Sequence, residues 1–434
     1  MALAGRPGPK SRIYEAKLHL PLPYDRDRLP CRGSISCDRT AHAEQPVERK
    51  RRSPNNLPMS QVVIRKSSPV VVRPSTPVPT PGDVKLSFFD KDVVDMPAIF
   101  LFVFDHPIHK PAETIKSALS QALVHYYPIA GRLDLGADNG KPFIRCSGEG
   151  AVFVAAAADC PLKEMELLDR PLRSTTPLDD LAVDYPGEKC SRGEPLLIVQ
   201  VTEFACGGFV VGLTRNHVIS DASGLAQFLQ AVGELARGLP APTVVPVRYD
   251  ENLPGIPPVV AATKRTPTDP PYDLSFLDAP TMLFFTASAR KLVGAKHGYY
   301  GNCVSRVVLR TTSGAVANGE LIEIVKMIKE AKEQMVVKMP SSEDKDGGGG
   351  QHNKLGSMYN NLGLSCQRHL GLDEVDFGGG KPARVFMNRV PRIGLPVCAV
   401  CLPWKGKDGA NVLTNCVKEE HVDAFAAELA RITT

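Results

Sequence analysis

Two apolar runs joined by four turn residues constrain this chain more than any other stretch: "LLIVQVTEF" (196–204), "ACGG" (205–208) and "FVVGLTRNHV" (209–218). Their Val, Leu and Ile content and the glycine-bearing turn between them predict two buried strands that face each other. The second run ends at His217. Beyond it Leu225, Phe228, Leu229, Val232 and Leu235 recur at helical spacing up to Gly238, a stop signal. A strand therefore delivers a histidine to the first turn of a helix, a turn that holds Asp221, Ala222, Ser223 and Gly224.

The same signals organise the rest of the chain. "IFLFVFDHP" (99–107) predicts another buried strand, and "KPAETIKSALSQALVHYYP" (110–128) a helix through Ile115, Leu119, Ala122 and Leu123 that Pro128 helps to close. After a proline-rich linker at 253–271, "TMLFFTASARKLV" predicts a strand and 319–335 an amphipathic helix. A further amphipathic helix is expected at 418–432. Strands and helices alternate without a clean β-α-β rhythm, so the fold class is α/β with mixed sheets and flanking helices.

Composition narrows the functions open to such a chain. With 434 residues, 43% of them hydrophobic and 23% charged, it has material for two or three globular domains. Residues 1–58 hold 12 Lys and Arg against 6 Asp and Glu; removing them from the totals of 52 and 47 leaves 40 against 41, a neutral body. Nucleic-acid binding is therefore not expected of the folded part, and "RKRR" (49–52) stands alone as a basic tail or nuclear-import signal. Residues 1–58, rich in Pro, Arg and Ser, read as a disordered basic extension. No run approaches the roughly 18 apolar residues of a membrane span, and the opening lacks the apolar core of a signal peptide. The 11 scattered cysteines suit reduced thiols in the cytoplasm, and Cys398 and Cys401 lie in the strand-like "LPVCAVCLPW" as buried thiols rather than metal ligands.

His217 and Asp221 form an H-x-x-x-D pattern, which occurs a second time at His369 and Asp373. His369 follows polar text with a glycine inside the motif and reads as a loop histidine. His217 stands on rigid elements, as general-base chemistry requires, because the base must reach its proton within about 3 Å. With no G-x-S-x-G in the chain, direct transfer is the chemistry to expect: His217 would deprotonate a hydroxyl or amine that attacks an activated acyl carbonyl. Asp221 reads as a strut, capping the helix or pairing with an arginine. On these residues alone a satisfied core histidine and a plain helix cap account for the pattern equally well.

A wider set of motifs decides between the two. "HVISDASGLAQFLQAVGELARG", "YYGNC" (299–303) and "DFGGGKP" (376–382), in this order, resemble the plant BAHD acyltransferases, as do "HYYPIAGRL" (125–133) and "LTNCVKEEHVDAFAAEL" (413–429). The likeness spans most of residues 60–434. It implies a chloramphenicol-acetyltransferase-like architecture of two α/β domains with a channel between them, here 59–252 and a C-terminal domain at 272–434. It also implies acyl-CoA as co-substrate with no tightly bound cofactor and no metal, a small alcohol or amine acceptor, no membrane partner and a monomer. Within it, His217 would be the catalytic base, Asp221, Arg290 and Asp376 structural supports, and Gly301, Asn302, Phe377, Gly378 and Gly380 coenzyme-site residues. General wording leans toward benzoyl or hydroxycinnamoyl donors.

Two departures stand out. Gly379 takes the place of a family tryptophan, and another falls at about Gln367; losing a packed aromatic costs about 3 to 5 kcal/mol unless neighbours compensate. Asp221 and Asp376 are closer in sequence than the family usually has them, with a strand and a long helix missing near 272–282 and apolar surface exposed as a result. The alternative is thus a catalytically degraded relative that acts as a binding or interaction protein.

Overall fold

The computed structural model describes residues 62–78, 82–91, 93–136, 140–168, 178–187, 189–248, 281–337, 361–388, 397–403 and 411–414, with short pieces at 12–14, 253, 259–261, 280, 424–425 and 427–428. The architecture is two-domain α/β, built on two mixed sheets.

The first sheet has the order Arg384–Met387, Pro97–Phe104, Phe209–Asn216, Leu197–Phe204, Ala151–Ala158 and Ile64–Lys66, with Val70–Val72 also pairing Ala151–Ala158. Phe209–Asn216 lies at its centre, antiparallel to both neighbours and buried along its whole length. The continuous apolar text of these strands follows from burial on both faces. On Pro97–Phe104, Phe100, Phe102 and Phe104 point into one core while Ile99, Leu101 and Val103 point into another. The first core is closed by the helices Pro111–His125 and Ala222–Ala236, the second by Leu162, Met165, Leu178 and Leu181. Each fully buried side chain of this size contributes about 1.5–3 kcal/mol. Gly212 sits mid-strand because a Cβ there would overlap the Leu181 carbonyl.

The second sheet runs Arg12–Tyr14, Asn411–Thr414, Val397–Cys401, Asn361–Cys366, Pro280–Ser288 and Val304–Thr312. Its three inner strands from Val397–Cys401 to Pro280–Ser288 are parallel, and the pairs toward both edges are antiparallel.

Several elements depart from the sequence reading. Arg12–Tyr14, inside the stretch expected to be disordered, adds a short strand to an edge; the basic run at 49–52 lies outside the described residues. Within the expected linker, Val259–Ala261 pairs with Met335–Val337. Arg384–Met387 follows residue 272 in sequence yet pairs with Pro97–Phe104, so the C-terminal half contributes a strand to the first sheet. The predicted C-terminal helix lies largely outside the described residues. The helix Leu321–Glu333 buries only Ala331, leaving Leu321 and Ile322 66% and 58% exposed.

Candidate active site

The central strand ends at Asn216, and the chain turns through His217–Ile219 before the Ala222–Ala236 helix. Four hydrogen bonds stake this turn. The Asn216 Nδ2 donates to Val94 O at 2.7 Å, and Asn216 Oδ1 accepts from Val218 N at 2.9 Å. The His217 amide donates to Met96 O at 2.7 Å. Arg215, buried at the strand end, donates through Nη1 to Ser220 O at 2.6 Å and so ties the entry of the turn to its exit. His217 keeps partial exposure while Val218, Ile219, Ser220 and Asp221 are buried.

Among the described residues the imidazole hydrogen-bonds one side chain, with Nδ1 3.1 Å from Asn302 Oδ1. Asn302 Nδ2 donates to Asp90 Oδ1 and to His217 O, both at 2.9 Å. Those two acceptors fix which end of the amide is nitrogen, so its oxygen faces the ring and Nδ1 carries the proton. Nε2 is left with its lone pair, the form a general base needs. Burial lowers the His217 pKa to about 4, reinforced by the Arg215 charge; the backbone hydrogen bond of His217, Asp221 and Asn302 act the other way. The ring is neutral near pH 7.

Asp221 acts on the scaffold around the ring. Its Oδ1 accepts from Gly224 N at 2.9 Å, capping the helix. Arg290 grips both oxygens, Nη1 to Oδ2 at 2.7 Å and Nη2 to Oδ1 at 2.8 Å, and Nη2 also reaches Gly301 O at 2.9 Å. Cys303 N donates to Asp221 Oδ2 at 3.1 Å. This fork locks the strand-to-helix junction onto the 299–303 segment. The approach is close: a Cβ on Gly224 would overlap the Tyr300 carbonyl. Gly224→Ala is expected to destabilise by about 1–3 kcal/mol through overpacking, despite the helix propensity of alanine, read as a lower urea midpoint.

Asp376 Oδ1 accepts from Gly378 N at 2.7 Å and Gly380 N at 2.9 Å, and the Asp376 carbonyl accepts from Arg237 Nη1. Both glycines have left-handed φ, 116° and 97°. Phe377 is 2% exposed and packs 5.3 Å from Phe104 in the first core. The contacts of the five residues that the resemblance places at the coenzyme site are these. Phe377 and Asn302 (3% exposed) are buried, Gly301 spends its carbonyl on Arg290, and Gly378 and Gly380 spend their amides on Asp376. Where the family tryptophan would stand, Ile108 Cγ2 comes within 2.8 Å of the Cβ position of Gly379, so the 106–108 segment closes over the gap. Gln367 donates from its backbone to Val400 O at 2.8 Å, just past the end of an inner strand of the second sheet. His369 is exposed with φ 59°, in a loop as expected.

Three positions escaped sequence reasoning: Asp90, Arg248 and the contact of Asn302 with the ring. Arg248 Nη2 lies 3.1 Å from Asp90 Oδ1 and 3.0 Å from Val218 O. An acid within "LSFFD" (86–90), following an apolar segment, was the sole local hint. The described residues also form a groove of about 380 Å³ lined by Arg73, Ser75, Thr76, Tyr127, Cys146 and Ser147, separate from the residues around His217.

Comparison with known proteins follows the same outline. The Transferase family model matches residues 61–273 and 277–431, breaking beside the short spacing. Acyl transferase 15 of Oryza sativa subsp. japonica is 38% identical over 443 aligned positions, covering 86% of this chain and 99% of its own length. Those 443 positions, set against 86% of 434 residues, leave roughly 70 that only the relative fills. Benzyl alcohol O-benzoyltransferase of Petunia hybrida is 29% identical, covering 84% of this chain and 93% of that protein. Among solved structures, vinorine synthase superposes with a TM-score of 0.64 at 18% identity, covering 86% of this chain and 98% of that one, which shows a shared fold. The chain belongs to the Transferase family, the acyl-CoA-dependent acyltransferases of the plant BAHD group.

Proposed function

We propose that this protein moves an aromatic acyl group, benzoyl or hydroxycinnamoyl, from a coenzyme A thioester to an alcohol or amine, with His217 as the general base. The carrying observation is the Nδ1 contact with Asn302, which favours the tautomer with its lone pair on Nε2, on a ring that is not fully buried. In the reaction Nε2 takes the acceptor proton as the oxygen or nitrogen attacks the carbonyl carbon. The tetrahedral intermediate then collapses, the C–S bond breaks, and the departing thiolate recovers the proton to give free coenzyme A. The aromatic donor class is supported by relatives named as a benzoyltransferase and, at 32% identity, a caffeoyltransferase of Crocosmia x crocosmiiflora.

Thiol release from a panel of aromatic acyl-CoAs with alcohol and amine acceptors tests this. Turnover with one aromatic donor supports the proposal, and none with any donor, from folded protein, overturns it. The roughly 70 unmatched positions favour a second reading, a relative that binds acyl-CoA without turning it over; binding with no thiol release would support that one.

The pH profile carries a sharper expectation. A base titrating at about 4 keeps kcat/KM level down to about pH 5, whereas an ordinary histidine would give an acidic limb near 6.5. Stability runs in the same direction. Between about pH 6.5 and 4 the unfolded chain binds a proton that the native ring refuses, so stability is lost as pH falls through that window. Each kinetic point is therefore paired with a circular-dichroism check. A limb centred near 6.5 in folded protein contradicts the desolvated ring.

A further inference from the structure

We propose that Asp90 is a positioning residue for the histidine, selecting the ring tautomer through Asn302 without touching the ring. The inference rests on His217 being the base and adds the device that keeps it one.

Asp90 is fully buried in the short helix Phe88–Lys91. Its Oδ2 accepts from Ser87 N at 2.8 Å and from Ser87 Oγ at 2.7 Å. Its Oδ1 faces Arg248 Nη2 at 3.1 Å and Asn302 Nδ2 at 2.9 Å. An ionised carboxylate only accepts, so Asn302 must turn its NH₂ toward Asp90. Flipping that amide would put its oxygen against Asp90 Oδ1 and His217 O, two acceptors 2.9 Å away, with no proton between. It would also aim NH₂ at Nδ1, which favours the ring with its proton on Nε2, the wrong nitrogen for a base. Asp90 thus acts as the far end of a chain in which carboxylate orients amide and amide orients imidazole, the arrangement by which second neighbours fix a histidine tautomer elsewhere. Arg248 pairs with the same carboxylate oxygen, and through Val218 O it holds the backbone of the same turn.

Because Asp90 also balances a buried arginine, the unaltered protein is read first. With ¹⁵N-labelled histidine at pH 7, the His217 signal, assigned by its loss in His217→Gln, is expected to show a protonated Nδ1 and a pyridine-like Nε2. A ring protonated on Nε2 overturns the proposal. Asp90→Asn, and the pair Asp90→Asn with Arg248→Met that leaves no lone buried charge, then test the cause. In protein with native circular dichroism, the proton is expected to move toward Nε2, and kcat to fall by about 10²-fold with KM held. Unchanged tautomer and kcat would overturn it. The spectrum does not depend on turnover. A switch in tautomer in a protein that never transfers an acyl group would retire the base assignment and leave the role of Asp90 standing.

Discussion

Asp221→Ala is expected to lower unfolding free energy by about 3–5 kcal/mol, the cost of breaking a buried ion pair from one side. The carboxylate is 5% exposed and holds both arms of Arg290, whose side chain is 22% exposed. Alanine would leave that guanidinium without its anion. It would also leave the amides of Gly224 and Cys303 without acceptors, and the lost helix cap alone is worth about 1 kcal/mol. Partial exposure of Arg290 trims the electrostatic share but does not touch the orphaned amides. Since domains are stable by about 5–15 kcal/mol, the variant would sit near its folding threshold. Asp221→Asn keeps one acceptor and the cap, so its loss is expected to be smaller. Urea unfolding measures both, as a lower midpoint at unchanged slope. As a control, removing the exposed pair Lys326 and Glu323 should leave the midpoint in place. A midpoint for Asp221→Ala matching the control would show that Asp221 is no strut.

That strut was legible in the sequence because half of its work is local. An Asp immediately before a helical stripe is a cap whatever the fold, and the helix Ala222–Ala236 does begin behind it and end near Gly238, whose φ is 88°. The strands 196–204 and 209–218 were legible for a comparable reason, since burial on both faces writes itself as uninterrupted apolar text. What could not be read is whatever depends on distant partners. Asp90 and Asn302 lie 212 residues apart, and nothing near either residue names the other. The resemblance placed Asn302 with the coenzyme residues, and its contacts with His217 and Asp90 appear only in the structure. The membership of Arg384–Met387 in the first sheet leaves no trace in local pattern. The shortened spacing before Asp376 was visible as a number, and the alignment with the rice relative separately leaves roughly 70 positions filled on one side only.

His217→Ala is expected to reduce kcat for acyl transfer by about 10²- to 10⁴-fold, the range that a positioned general base supplies. KM for both substrates should change little, because the base acts on a proton in flight and makes few ground-state contacts. The fold should survive. The backbone bonds of residue 217, N–H to Met96 O and C=O from Asn302 Nδ2, do not need the ring, and the residue keeps some exposure. Its removal leaves Asn302 Oδ1 without this contact, which water entering the vacated space can supply. A large kinetic loss with a small stability loss is therefore the signature of a base, and the opposite of what Asp221→Ala predicts. His217→Gln sharpens the comparison: it refills part of the volume and can hydrogen-bond Asn302, yet it cannot accept the acceptor's proton at neutral pH. If glutamine restored turnover to within tenfold of the histidine enzyme, the imidazole would be a structural plug, and the proton would have to leave the acceptor by another route.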